Sequence, residues 1–112
     1  MPAADPNPVY PSHLTVTVGV NQTVNVGGSS TRAVGRDASS SVLGSQQESV
    51  GKNYTLTAGD SLVLRCGAAS ITLKKDGTIV IKGGDITLDA SGKINAKASS
   101  DVLIKGSKLG SN

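Results

Sequence analysis

Few residues of this chain are of types that could carry bond-making chemistry. His13 is the only histidine and Cys66 the only cysteine of 112 residues. A nucleophile with a base beside it, or a metal held by three or four ligands, needs more such groups than this. The acids Asp60, Asp76, Asp85, Asp89 and Asp101 stand among Gly, Ser and Lys. They read as corner residues and surface partners for lysine, since Asp favours turns. Glycoside hydrolysis would need two carboxylates facing each other across a cleft, and nothing indicates a cleft. The Lys82-Gly83 and Lys105-Gly106 pairs do not form a phosphate loop, because no GxxxxGK[ST] occurs. The expectation is a non-enzyme with no catalytic, cofactor or metal residues.

Apart from His13, these residues are set in an eight-residue repeat that runs from Val18 almost to the end of the chain. It reads VGVNQTVN, VGGSSTRA, VGRDASSS, VLGSQQES, VGKNYTLT, AGDSLVLR, CGAASITL, KKDGTIVI, KGGDITLD, ASGKINAK, ASSDVLIK. A short fixed period means one small unit stacked many times, a quasi-one-dimensional protein. Val18, Val26, Val34, Val42 and Val50 keep the step of eight, and Gly19, Gly27, Gly35 and Gly51 follow them. Glycine at a fixed place suggests a corner with positive φ, which leaves five or six residues for a short strand. A helix is not expected: eight is no helical period, and Gly, Ser, Thr and Val are mediocre helix formers. Cys66 occupies the repeat position of those valines and reads as a small apolar residue for burial.

The units become more apolar after Tyr54. Tyr54/Leu56, Leu62/Leu64, Ile86/Leu88, Ile94/Ala96 and Val102/Ile104 keep the eight-residue step, each pair lying on one face of a strand. Ile71/Leu73 and Ile79/Ile81 are displaced by one position. That offset reads as a bulge or an altered corner. Asp76-Gly77, between two alternating runs, is a β-hairpin signal and the alternative. Because octads resume on both sides, a solenoid corner ranks first.

Composition limits what one chain can bury. There is no Phe or Trp, only two Tyr and one Met, and 14 Gly. A compact monomer of this size leans on large apolar groups. The simplest escape is a core shared between chains. Net charge is +3 and no aromatic platform accompanies the basic residues, so nucleic acid is not an expected partner. Seven of the eight lysines lie beyond residue 70, as a solvated outer face. One cysteine excludes an intrachain disulfide. Residues 1–13 carry all four prolines and read as an extended lead-in or linker without the features of a signal peptide, leaving 14–112 as one repeat domain that begins with the alternating LTVTVGV.

Two constructions suit such a repeat. A single-chain β-helix uses about 18–25 residues per coil, so three octads would form one coil. Alternatively, three chains wind together, each giving one octad to a different wall at every level. The second explains why one octad is the repeating unit, and it leaves no open side edge. The expected fold is all-β, an intertwined homotrimeric triple-stranded β-helix, or β-prism needle. Eleven levels at ~4.8 Å would give a length on the order of 50 Å.

The VGxxxTxxVGG octads resemble the triple-stranded β-helix of contractile-phage central spikes and of VgrG proteins of type VI secretion systems. The segment ITLKKDGTIVIKGGDITLDASGKINAKASSDVLIKGSKLGSN is similar to the C-terminal end of VgrG spikes. The resemblance extends over residues 14–112. It implies a cell-puncturing spike at the tip of a contractile injection machine, with a conical PAAR-repeat protein on its blunt end. By the same resemblance, Lys105, Gly106, Ser107, Lys108, Leu109, Gly110, Ser111 and Asn112 would receive that tip protein. Hub and tube proteins would attach through an N-terminal region that has no counterpart in this sequence. The spike would be made in the cytoplasm and then leave the cell or enter a target cell with the apparatus, or sit in a virion tail, touching the target membrane transiently. The alternatives are a phage baseplate spike, or an adaptor for a tip effector without a puncturing role. Some phage spike tips carry a His-x-His iron site, and no such pair occurs here. No cofactor is expected, although an apolar prism could trap an ion or a fatty acid on its axis.

Overall fold

A computed structural model of the protein describes residues 12–110. The chain divides into two units, Met1–Gln47 and Glu48–Asn112. The described residues contain no helix, and so none long and apolar enough to cross a membrane.

In the first unit the backbone bends at 19–20, 27–28, 35–36 and 43–44, a step of eight residues. The corners therefore fall where the repeat places them. Val18, Val26, Val34 and Val42, and Val50 at the same position of the second unit, are between 46% and 52% exposed. So narrow a range means that each repeat has the same local environment. The segments between bends form no hydrogen-bonded strand, LTVTVGV included. A strand exists only through the partner its N–H and C=O groups pair with, and one octad offers none to the next.

The second unit continues the bends at 51–52, 59–60, 84–85, 91–92, 99–100 and 107. Tyr54 Oη donates a hydrogen bond to Glu48 Oε2 at 2.6 Å across the 51–52 bend, and the adjacent carboxylate raises the phenol above its usual pKa. Between 60 and 83 the chain instead pairs with itself. Strands β1 (Ser61–Cys66), β2 (Ala69–Lys74) and β3 (Ile79–Lys82) form an antiparallel sheet in the order β1-β2-β3. The solenoid corner expected near 71–81 is thus corrected to a β-meander, and the hairpin signal at Asp76-Gly77 is the one that holds.

Its turns explain the correction. Cys66 pairs with Ala69, leaving Gly67 and Ala68 as a two-residue loop. Gly67 has φ of 56° and Ala68 does not have positive φ, the type II′ pattern that matches strand twist. At the second reversal Gly77 N donates to Lys74 O at 3.0 Å and Lys74 N to Thr78 O at 2.9 Å. Gly77, at φ 93°, completes a three-residue loop of the turn-plus-bulge kind. Thr78 N donates to Asp76 Oδ1 at 3.0 Å, and this bond holds the Asp76 carboxyl below its ordinary pKa. Lys75 N donates to Asp60 O at 3.0 Å, extending the ladder past β1. Both loops begin at octad corner positions, 67 and 75, so the repeat's step survives while the chain direction reverses.

The glycine expectation is also corrected. Positive φ occurs at Gly67 and Gly77 among the described glycines, not at Gly19, Gly27, Gly35 or Gly51. A Cβ added at those four would meet nothing within 4 Å. Neither backbone conformation nor crowding within the chain demands glycine at the ordinary corners.

Candidate functional site

Side chains alternate across a strand, so register assigns each residue of the meander to a face. The pairs Leu62↔Leu73, Leu64↔Ile71 and Cys66↔Ala69 lie on one face, extended by Ile71↔Ile81 and Leu73↔Ile79. That face is wholly apolar. The opposite face carries Ser61, Val63, Arg65, Ser70, Thr72, Lys74, Val80 and Lys82. The one-position displacement of Ile71/Leu73 and Ile79/Ile81 is what brings these four onto the face of Leu62 and Leu64. In an antiparallel fold-back the partner positions must mirror, not translate.

No described residue covers this apolar face. Leu64, Ile71, Leu73, Ile79 and Ile81 are between 39% and 63% exposed, and Leu62 is half-buried. Among the described residues none is fully buried. The chain exposes 12132 Å². A compact chain of 11.2 kDa exposes roughly 5,700 Å², and an unfolded one about 16,000 Å². The excess is large, and the octads contribute to it: Leu56, Ile86, Leu88, Ile94, Val102 and Ile104 are exposed too.

Backbone polarity gives the same result. Among the described residues, backbone–backbone hydrogen bonds are confined to residues 60–82. A folded domain carries about one internal hydrogen bond per residue, two-thirds of them backbone–backbone. The octad backbones outside the meander lack such partners within the chain.

Of the residues singled out by type, Cys66 ends β1 as an exposed free thiol on the apolar face, not the buried side chain expected for it. One chain has no second layer to cover it. His13 is exposed and belongs to the first unit. No group of three or more His, Cys, Asp or Glu side chains that could hold a metal occurs among the described residues. Two open depressions flank the meander. One, of about 760 Å³, is lined by Asp60, Ser61, Thr72, Lys74, Lys75 and Asp76. Its two acids and two lysines balance in charge. The other, of about 280 Å³, is lined by Leu64, Cys66, Ala69, Ser70, Ile71, Ile81 and Lys82, at the Cys66 end of the sheet.

The residues expected to seat a tip protein begin with Lys105, the last residue of the last full octad. Lys105, Gly106, Ser107, Lys108, Leu109 and Gly110 form no strand and are exposed, with a bend at Ser107 and Leu109 at 77% exposure. A Cβ on Gly106 would come within 3.2 Å of Lys108 O, so the chain folds closely over that glycine. Ser111 and Asn112 lie outside the described residues. The meander face is what reading from sequence missed as a unit. Its signals were the Asp76-Gly77 turn and the one-position displacement.

No family model matches the chain. A stretch of 36 residues is 64% identical to the type VI secretion system spike protein VgrG1b of Pseudomonas aeruginosa. That stretch is 32% of this chain and 5% of the relative, so the chain matches a small fraction of that protein's length. The regular structure among the described residues is therefore strand-only, and a 36-residue stretch of the chain is similar to a VgrG spike protein of type VI secretion.

Proposed function

We infer that this chain is a shaft segment of a contractile injection spike, working as an intertwined homotrimer that pierces a target envelope. One observation carries the reading: from residue 19 to residue 60 the backbone bends every eight residues, yet among the described residues outside the meander the segments between bends find no backbone partner in their own chain. Three chains in register would supply those partners at every level and close the sheets on themselves. The valines at the eight-residue step would then line the interior. The corner glycines, which nothing within the chain requires, would be explained by close approach of neighbouring copies. Continuous cross-chain hydrogen bonding would make the shaft stiff along its axis. The partial identity to a VgrG spike supports the same reading.

On this reading the role is mechanical, with no catalytic step and no cofactor. Residues 105–112 form the seat for a PAAR-type tip protein, hub and tube proteins join at the other end, and the spike travels from the cytoplasm to the target membrane. The exposed Leu109 favours a second, compatible reading in which holding the tip protein is the main task. Amide hydrogen exchange tests the shaft. In the assembled protein the amides between bends over 14–57 are expected to be protected at least about 100-fold, as paired strands are. Exchange at the rate of free peptide throughout that region would overturn the reading.

A further inference from the structure

The octad shaft has a weakness that its regularity creates. Val18, Val26, Val34, Val42 and Val50 are alike in type, spacing and exposure. A copy that slips by eight residues along its neighbours therefore meets nearly the same surroundings. Register is weakly specified wherever strands are this repetitive. The meander is the one described element that a slip of eight cannot reproduce.

We propose that the meander is a registering collar, whose apolar face of Leu62, Leu64, Ile71, Leu73, Ile79 and Ile81 packs against the same face of the other copies. The proposal rests on the reading that copies of this chain assemble. The occupant is a second copy, for three reasons. The chain's exposed area exceeds that of a compact monomer by about 6,400 Å², many times the ~800 Å² that each partner buries in a stable interface. The face carries no charge, while Arg65, Lys74 and Lys82 stand on the opposite one, so copies meet without repulsion only through the apolar side. And the face is continuous in sequence with octads whose backbones need partners from the same chains.

The collar differs from the shaft in kind. Its backbone hydrogen bonds close within one chain, across turns of two and three residues. It can therefore form before association, at small loop-closure cost, whereas shaft strands form only once copies meet. Three preformed meanders that join face to face fix the level of every chain, and the octads then zip outward on both sides in one register. In a slipped assembly the apolar face of one copy would stand against a neighbour's corner and remain exposed.

The test uses the full chain, with Cys66 as a built-in probe at the end of the face. In the native wild-type assembly, Cys66 is expected to react with a maleimide about 100-fold more slowly than in denatured chain. In Leu64→Ser/Ile71→Ser the protection is lost, and refolding to the assembled mass slows roughly tenfold, because the collar precedes the shaft. Val63→Ser/Val80→Ser, on the opposite face, keeps both properties. A wild-type assembly with a freely reactive Cys66 overturns the collar and leaves the shaft standing. So does a Leu64→Ser/Ile71→Ser variant that refolds at the wild-type rate. A wild-type chain that is monomeric overturns the collar and the shaft together.

Discussion

Replacing Val34 with Asp is expected to abolish assembly at neutral pH and to leave it recoverable in acid. Val34 is 47% exposed in the single chain, like its equivalents in neighbouring repeats. In a threefold assembly the substitution would turn three carboxylates toward one apolar axis. An uncompensated buried charge costs about 3–5 kcal/mol, and like charges add to it. The assembled state would therefore favour the neutral acid and raise its pKa above the ordinary value of about 3.9. With the pKa higher in the assembled state, the variant's assembly is retained below the ordinary value and lost as pH rises through the raised one. Native mass measurements at about pH 3 and pH 7 should show the assembly at the first and free chain at the second. Val34→Asn, which cannot titrate, should show no such recovery. A Val34→Asp protein that assembles normally at neutral pH would place this position outside the shared interior.

Deleting residues 105–112 is expected to leave the assembled mass otherwise unchanged and to weaken binding of a PAAR-repeat protein at least about 100-fold, roughly 2.8 kcal/mol. Apart from Lys105, which ends the last octad, the segment lies beyond the repeat, and residues 105–110 form no strand, so the shaft does not depend on it. Exposed Leu109 would appear three times on a threefold platform, with Lys105 and Lys108 around it. Removing all three copies takes away the apolar centre of the seat at once. Calorimetry with purified tip protein measures the loss. Unchanged affinity would move the seat elsewhere, and loss of the assembled mass would make the segment structural.

The corners of this chain were legible from its sequence because the signal is a repeated spacing. Val18 through Val50 mark a step of eight, and the backbone bends follow it to 59–60 and return to it at 91–92, 99–100 and 107 beyond the meander. The absence of helix among the described residues follows from the same period and from Gly, Ser and Thr content. The reversal of direction at 67–68 and 75–77 was harder to read, because both turns begin at octad corners. A corner and a hairpin turn then occupy the same place and draw on the same residues. What separates them is whether apolar positions translate or mirror across the turn. Leu62/Leu64 and Ile71/Leu73 mirror about Gly67-Ala68, and this shows in the sequence only as a step of nine in place of eight.

The glycine pattern taught the opposite lesson. Glycine at a fixed place in the early repeats suggested positive φ, yet among the described glycines the left-handed conformation is found at Gly67 and Gly77, inside the meander. Composition alone does not separate a glycine needed for its backbone from one needed for its missing side chain. Cys66 is a related case: its repeat position marks it as apolar, but burial depends on what lies against the sheet. Which surfaces face another chain is a property of the assembly, and one chain's periodicity carries it only indirectly, through an excess of apolar and backbone groups with nothing to meet.

Native mass spectrometry of the full chain at neutral pH tests the central claim most directly. The expected species has three times the 11.2 kDa chain mass, about 34 kDa, and persists at denaturant concentrations that unfold ordinary domains of this size, midpoints of about 1–5 M guanidinium. A folded species at the mass of a single chain would contradict it, because octads that protect their backbones without partner chains would have to do so by a construction other than an intertwined shaft.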